Sequence, residues 1–164
     1  MSGNCRILSV VVILLGLALT FGAGAGANAI TPPPLNSIGA SPRPGEYAIV
    51  RAMNAVRVRN GVPALRVGRA LTRAARAHSV DMARKGYFDH GAFVQRLRNF
   101  GVRAPYVGEN LAYGRNPLSA GAIVQMWITS PPHRQNLLDR SFRRIGVGVA
   151  GGSTKLVTAD FAGR

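Results

Sequence analysis

The sequence predicts an α+β domain in which several helices cover a small antiparallel sheet. Two observations carry this prediction. Apolar residues recur at helical spacing in several segments before residue 140, and two β-rich segments flank the turn "GGST" at 151–154 near the end of the chain. The chain has 164 residues, which is enough for one domain and too few for two sizeable ones.

The first 29 residues have the pattern of a secretory signal. Arg6 supplies a weakly positive start, residues 7–21 are apolar, and the small residues at 23–29 offer cleavage sites. The apolar stretch is short for a spanning helix, which needs about 20 residues. We therefore predict a signal peptide over 1–29 and a secreted protein, extracellular or in the cell wall. An uncleaved N-terminal anchor is the alternative.

The segment after this signal predicts a linker. Residues 30–45 contain five prolines and few apolar anchors, a composition typical of an extended tether. We expect the folded domain to span 46–164. Because the only cysteine, Cys5, lies in the signal, the mature domain would contain no disulfide, no thiol nucleophile and no cysteine-based zinc site.

The first two helices follow from apolar periodicity. Residues 46–61 place apolar side chains at helical spacing and end at a glycine. Residues 69–88 carry a clearer stripe, with the arginines largely off it and Gly86 placed to end the helix. The stripe of this second helix consists of Leu71, Ala74, Ala75, His78 and Met82.

The later elements are shorter. Residues 92–101 predict a third helix, and 117–130 a fourth that Pro117 begins and Pro131 stops. Residues 131–138 predict one or two further helical turns, with Ser130 as N-cap. The stretch 106–114 has β-character, and 143–162 predicts a hairpin. Gly146 and Gly148 alternate on one strand, which suggests close approach of another element.

The charge is strongly basic. The chain has 21 basic and 6 acidic residues, net +15, or +14 once Arg6 is removed, and 19 of the basic residues are arginine. Such a surface attracts polyanions, and for an exported protein these are anionic lipid or wall polymer. A GC-rich coding sequence would produce the same composition. The arginines form no block with interleaved aromatics, so we expect no nucleic-acid partner, and membrane contact only through the signal peptide or surface charge.

Few side chains can carry chemistry. Glu109 is the most anomalous, because a carboxylate among the apolar residues of "YVGENLAYG" should be partly buried and so needs donors or a cation. His90 follows the end of the predicted second helix, where a side chain can face a cleft. His133 lies in the first turn of the helix predicted over 131–138, where the positive end of the helix dipole disfavours a protonated imidazole. His78 lies on an apolar stripe, where a histidine is usually structural. No H-E-x-x-H or G-x-S-x-G occurs, so spacing alone indicates no more than a possible His–Glu–His site.

Three longer motifs add a resemblance. The segments "AHSVDMARKGYFDH" at 77–90, "GENLAYG" at 108–114 and "MWITSPPHRQNLLDRSFRRIGVGVA" at 126–150 resemble the secreted bacterial branch of the CAP superfamily. That superfamily, whose module is the SCP-like domain, includes cysteine-rich secretory proteins, insect venom antigen 5 proteins and plant pathogenesis-related proteins. The resemblance covers about residues 46–163.

The resemblance implies a three-layer α-β-α sandwich with a central cleft lined by two histidines and two acids. Carried over by motif, these are His90, Glu109 and His133, while Ser130 stands where the second acid would be. This departure weakens any mechanism that needs two carboxylates. Asn110, next to Glu109, is expected to bond the backbone or to orient a side chain.

The resemblance also implies a candidate metal site. Some relatives bind a divalent metal through the two histidines, so His90 and His133 are candidate ligands for Zn²⁺ or another divalent ion, with Glu109 as a further one. Two imidazoles and a carboxylate can hold Zn²⁺ and leave a position for water.

Three functions remain open. The first is a module that binds lipid, sterol or an anionic cell-envelope component, with or without Zn²⁺. The second is a metal-assisted, peptidase-like hydrolase that uses His90, Glu109 and His133, with Glu109 as ligand or general base. The third is a partner-binding or host-facing protein with a vestigial cleft. No hydrolase activity can be assigned from the sequence, and the oligomeric state stays open. Ser130 is a conceivable nucleophile, although the N-cap role is simpler.

Overall fold

The computed structural model describes residues 6–7 and 41–163. These residues contain five helices and five strands, and the α+β class is confirmed. The elements are β1 (Arg6–Ile7), α1 (Pro44–Arg59), β2 (Arg66–Val67), α2 (Arg69–Lys85), α3 (Phe93–Asn99), β3 (Tyr106–Arg115), α4 (Ala120–Thr129), α5 (Pro131–Leu138), β4 (Phe142–Ala150) and β5 (Thr154–Gly163).

The strands form one sheet in the order β1-β3-β5-β4-β2. The long strands β3, β5 and β4 are antiparallel, as predicted, and β4 and β5 form the expected hairpin, with Gly151 at a φ of +99° in its turn. Each edge carries a two-residue strand in parallel pairing. The sheet is therefore mixed rather than purely antiparallel, because these short edges have no sequence period that would reveal them.

Helices cover both faces of the sheet, which gives the three layers that the resemblance implied. On one face, α1, α4 and α5 enclose the larger apolar core, centred on Trp127, Phe142 and Phe161. On the other face, α2 and α3 enclose a smaller core. The smaller core consists of Leu71, Ala74, Phe93, Leu97, Val102, Val107 and Ala162.

Helix α2 lies directly on β4, as the alternating glycines suggested. A Cβ at Gly146 would overlap the backbone of Leu71 and Thr72, and one at Gly148 would overlap the backbone of Ala75. Only glycine leaves room for a helix backbone at that distance. The close packing brings the buried face of α2 against the sheet residues described below.

The stripe predicted for α2 is buried as expected, and Thr72, Arg76 and Ser79 are buried beside it. Arg76 is only 3 % exposed, although the arginines were expected largely off the stripe. Its guanidinium donates from Nε to Glu46 Oε1 at 2.8 Å and pairs with the other carboxylate oxygen of Glu46. A buried arginine is tolerated here because α1 supplies a buried carboxylate.

Two helix starts differ from the prediction. Helix α1 begins at Pro44, two residues early, because Glu46 accepts a hydrogen bond from the Arg43 N–H at 2.8 Å and so satisfies the first turn. Helix α4 begins at Ala120 rather than Pro117, because Ser119 Oγ accepts from the Ala122 N–H at 3.1 Å and acts as N-cap. Gly86 ends α2 in the left-handed region, at a φ of 69°, as predicted.

The signal sequence and most of the linker lie outside the described residues, so both stay predictions. Within residues 6–7 and 41–163, no helix combines the length and the apolar character needed to cross a bilayer.

Candidate functional site

Glu109 lies in the middle of β3, directly opposite Asp160 on β5. Side chains alternate along a strand, and Val107 and Ala162, two positions away on each strand, belong to the core under α2 and α3. Both carboxyl groups therefore point to the α2 face. Glu109 is 4 % exposed and Asp160 is fully buried. The sheet register thus places two acids side by side in the interior.

Both oxygens of Glu109 are engaged. His90, in the loop between α2 and α3, donates from Nδ1 to Glu109 Oε1 at 2.7 Å. Arg96 of α3 pairs with Glu109 Oε2 and donates to Asp160 Oδ1 at 3.1 Å. The donors and the cation that the buried carboxylate requires are therefore His90 and Arg96. We call His90, Arg96, Glu109, His133 and Asp160 the polar site.

The surroundings of Asp160 favour the neutral, protonated form of its carboxyl group. Burial raises its pKa well above the ordinary value, the Arg96 charge lowers it in part, and the charge of Glu109 and a hydrogen bond with that side chain raise it again. Its Oδ2 is buried and has no hydrogen-bond partner among the described residues. With Asp160 protonated, one guanidinium faces one carboxylate, and the interior charges balance.

Two asparagines fasten α5 to β3 beside this cluster. Asn110 donates from Nδ2 to the carbonyl oxygen of His133 at 2.9 Å. Asn136 donates to Asn110 Oδ1 at 3.0 Å and to the Glu109 carbonyl oxygen at 3.1 Å. Asn110 thus bonds the backbone, one of the two roles expected for it. These bonds place the first turn of α5, which carries His133, against the strand that carries Glu109.

The two histidines of the site interact electrostatically. Burial lowers the pKa of the His133 imidazole, and the charge of His90 lowers it further. His133 is half-buried, and the His90 side chain is 20 % exposed. The structure therefore brings His90, Glu109 and His133 into one neighbourhood, with both imidazoles at its accessible side.

Ser130 takes the N-cap position of α5, as predicted, but its side chain makes no capping hydrogen bond. Its hydroxyl is half-buried and has no hydrogen-bond partner within the described part of the chain, His133 included. Arg134, the residue after His133, is exposed, and the arginine that pairs with Glu109 is Arg96. His78 is structural: it is 5 % exposed and donates from Nε2 to the Asp89 carbonyl oxygen at 2.9 Å.

The three-ligand metal set does not fit this geometry. Glu109 directs one oxygen to His90 and the other to Arg96, so neither lies free toward a metal ion. Within residues 41–163, no group of three or more histidine, cysteine or acidic side chains is arranged to hold an ion. The zinc expectation, with His90 and His133 as candidate ligands, therefore stays a prediction.

An exposed aromatic pair lies next to the polar site. Phe88 precedes His90 by two residues, and Tyr113 lies on β3 on the same face as Glu109. The two rings meet edge to face with centroids 4.8 Å apart, and they are 42 % and 44 % exposed. A polar neighbourhood with an aromatic rim can accept a ligand that has a polar and an apolar part.

Sequence reasoning missed Arg96, Asp160 and Asn136. Asp160 was detectable, because it stands between apolar residues of a predicted strand just as Glu109 does. Arg96 carried no local signal, since one arginine of a short basic helix looks like any other. Asn136 was equally inconspicuous in the segment at 131–138.

Comparison with known proteins agrees with this fold. The family model described as "Cysteine-rich secretory protein family", CAP, matches residues 50–161. The chain is similar to the uncharacterized protein YkwD of Bacillus subtilis (strain 168), with 36 % identity over 125 residues, or 73 % of this chain and 47 % of YkwD. It is also similar to the uncharacterized membrane protein YlbC of that strain, with 33 % identity over 124 residues, or 73 % of this chain and 34 % of YlbC. The matched region spans less than half of either relative.

Solved structures give the same result. An extracellular SCP-domain protein from Bacillus anthracis str. Ames is similar with a TM-score of 0.67 and 31 % identity, over 73 % of this chain and 40 % of that one. An outer surface protein from Borrelia burgdorferi has a TM-score of 0.65 over 71 % of this chain and 90 % of its own, and at 18 % identity it shows the fold alone. The family model covers more than half of the sequence, and the chain therefore belongs to the cysteine-rich secretory protein family, CAP.

Proposed function

We propose that this chain is an extracellular CAP-domain binding module whose polar site holds an amphipathic ligand, a lipid or sterol of the cell envelope. The observation that carries the proposal is the exposed Phe88–Tyr113 pair beside the half-buried imidazoles of His90 and His133. A ligand with a polar head would direct that head to the imidazoles and lay its apolar part on the rings.

The polar end is equipped for a hydroxyl or carboxyl head. His90 donates from Nδ1 to Glu109, so in the neutral imidazole Nε2 is left as an acceptor. Arg96 holds Glu109 from the other side and fixes the orientation of the pair. Tyr113 lies four residues along β3 from Glu109, about 13 Å at the usual rise. That span suits a sterol or several methylene groups of an acyl chain.

An extracellular location rests on separate support. The first 29 residues have the pattern of a signal sequence, and the similar Bacillus anthracis protein is described as extracellular. The net charge of +15 favours anionic surfaces of the envelope.

Binding is favoured over hydrolysis by the state of the candidate catalytic groups. Ser130 makes no hydrogen bond with His133 in the described part of the chain, so no nucleophile–base pair is formed. Glu109 is bound by His90 and Arg96, which leaves it poorly placed as a general base for water.

The test is a fluorescence titration with a fluorescent sterol and a fluorescent fatty acid. We expect Phe88→Ala/Tyr113→Ala to weaken binding about tenfold or more, because two rings lose their contact with the ligand. The matched control is Tyr47→Ala, which removes a ring that is 52 % exposed on α1. Equal effects of the pair and of the control, or no binding of either probe to the wild-type chain, would refute the proposal.

A second arm addresses the polar end. His90→Ala should weaken binding of the sterol probe about tenfold, since the hydrogen bond that the sterol hydroxyl donates to His90 Nε2 is lost. A calorimetric Zn²⁺ titration of the same proteins tests the metal-assisted alternative. Tight one-to-one binding that disappears in Glu109→Gln would mean that Glu109 is a ligand and would overturn our assignment of that side chain to His90 and Arg96.

A further inference from the structure

A cavity lies away from the polar site, at the opposite edge of the sheet from β3. Its volume is about 540 Å³, and its lining comes from the loop after α1, from β2 and from the adjoining ends of β4 and β5. None of the polar-site residues lines it. The lining residues are Pro63, Ala64, Arg66, Arg143, Arg144 and Gly163.

Three arginines meet in this cavity. Arg66 and Arg144 are direct partners in the parallel β2–β4 pairing, a position where like charges destabilise a sheet. The ladder between β4 and β5 shifts register between Phe142 and Arg144, so Arg143 is the extra residue of a bulge. Bulges re-aim side chains, and this one lets consecutive arginines line the same cavity.

No acid in the described residues balances these charges. The guanidinium groups of Arg66 and Arg144 make no hydrogen bond or ion pair with any described residue. Within the described part of the chain, Arg143 donates to backbone oxygens alone, those of Arg140 and, at 3.0 Å, of Phe142. Repulsion among the three guanidinium groups costs stability, and no carboxylate offsets it. A bound anion would neutralise this repulsion.

A fourth arginine stands behind the cavity wall. Arg57 is fully buried and donates to carbonyl oxygens of Pro63, Leu137, Asp139 and Phe142. Burial lowers its pKa to about 10, with a further lowering from the Arg143 charge and an opposing effect of Asp139. Arg57 thus fixes the loop and the start of β4 that frame the cavity, and it adds positive charge to them.

We propose that this cavity is a binding site for a phosphate group carried by a small polar molecule. A guanidinium presents paired N–H donors that match phosphate oxygens, and a phosphate carries nearly two negative charges, which suits three cations better than one carboxylate does. The cavity is open to solvent, since its three arginines are exposed, and its volume admits a phosphorylated polyol or sugar. The site is separate from the polar site and does not depend on the function proposed for it.

The test is calorimetric titration of the chain with pyrophosphate and with glycerol 3-phosphate in chloride buffer. We expect both to bind the wild type, and the variant Arg66→Gln/Arg143→Gln/Arg144→Gln to bind at least about a hundredfold more weakly, since charge-assisted hydrogen bonds from three side chains are lost. The charge-matched control is Arg51→Gln/Arg98→Gln/Arg115→Gln, which removes three exposed arginines elsewhere. It should bind as the wild type does.

If both triple variants bind the probes equally weakly, the arginines act only through general electrostatic attraction, and the proposed site is refuted. Failure of the wild type to bind either probe would also refute it. Thermal melts of the same proteins distinguish a loss of phosphate binding from a loss of folding. Without phosphate, Arg144→Gln should melt at or above the wild-type temperature, because a like-charge pair is relieved. A large drop would show that the arginines are structural and would contradict the proposal.

The source of the phosphate is distinguished by a further arm with phosphatidylglycerol vesicles. If free glycerol 3-phosphate releases the protein from the vesicles, a lipid headgroup can occupy the same cavity. The other outcome is that the protein stays on the vesicles when glycerol 3-phosphate is added, and that both triple variants lose vesicle binding equally. In that case the general surface charge holds the vesicle, and the cavity binds soluble phosphates.

Discussion

The two faces of the sheet are packed in different ways. The face under α1, α4 and α5 is filled by large apolar side chains such as Trp127, Phe142 and Phe161. The face under α2 and α3 combines a smaller apolar core with glycines and the buried charges of the polar site. It also holds a buried hydrogen bond from the Ser79 hydroxyl to the Thr158 hydroxyl. The first face stabilises the sheet by apolar packing. On the second face, α2 lies close enough to the sheet to keep water from the buried charges.

The close approach of α2 is the feature whose loss should do the most damage. In Gly146→Ala the new methyl group meets the backbone of Leu71 and Thr72, so the helix must move. We expect the free energy of unfolding to fall by about 3 kcal/mol or more, measured by urea denaturation. The control Gly152→Ala, at an open position in the hairpin turn, should change it by less than about 0.5 kcal/mol. Similar losses in both would mean that α2 does not lie so close.

The buried charges come next in size. Arg96→Met leaves Glu109 and Asp160 without their cation. We expect a loss of about 3 kcal/mol in the free energy of unfolding, at the lower end for a buried pair because the Arg96 side chain is 14 % exposed. Asp160→Asn keeps the shape of a neutral acid and should cost less than about 1 kcal/mol. If Asp160→Asn proves as costly as Arg96→Met in the same denaturation experiment, Asp160 is ionised and the charge balance described above is wrong.

His78 gives a smaller, pH-dependent effect on the same face. Burial lowers its folded-state pKa below 6.5, against weaker opposing effects that include the Glu109 charge. Between that lowered pKa and about 6.5 the unfolded chain binds more protons, so this histidine makes stability rise with pH, and its contribution is lost as the pH falls through the window. His78→Gln should remove up to about 1.4 kcal/mol per pH unit of this slope. An unchanged slope from pH 7 to pH 5 would refute the assignment.

The fold was largely predictable because its signals are local. The stripe of α2 and the hairpin at the end of the chain each follow from the period of a short segment. The edge strand at Arg66–Val67 was not predictable, since two residues carry no period and their pairing with β4 depends on residues 78 positions away. The starts of α1 and α4 depended on single capping hydrogen bonds.

The site was predictable only in part. The motifs identified His90, Glu109, His133 and Asn110, and the structure brings them into one neighbourhood. What they could not show is the cation that holds Glu109. Arg96 binds two acids that are 13 and 64 residues away, and such an arrangement arises from tertiary packing and not from any spacing.

The protonation state of Asp160 is the most direct test of the charge balance in the polar site. It can be followed by NMR of the side-chain carboxyl carbons as a function of pH, with Asp160→Asn to assign the signal. We predict that Asp160 stays protonated well above the pH at which ordinary aspartates ionise, and that its contribution to stability is present at low pH and is lost as the pH rises through its raised folded-state pKa. An Asp160 signal that titrates at or below the ordinary value of 3.8 would contradict this charge balance.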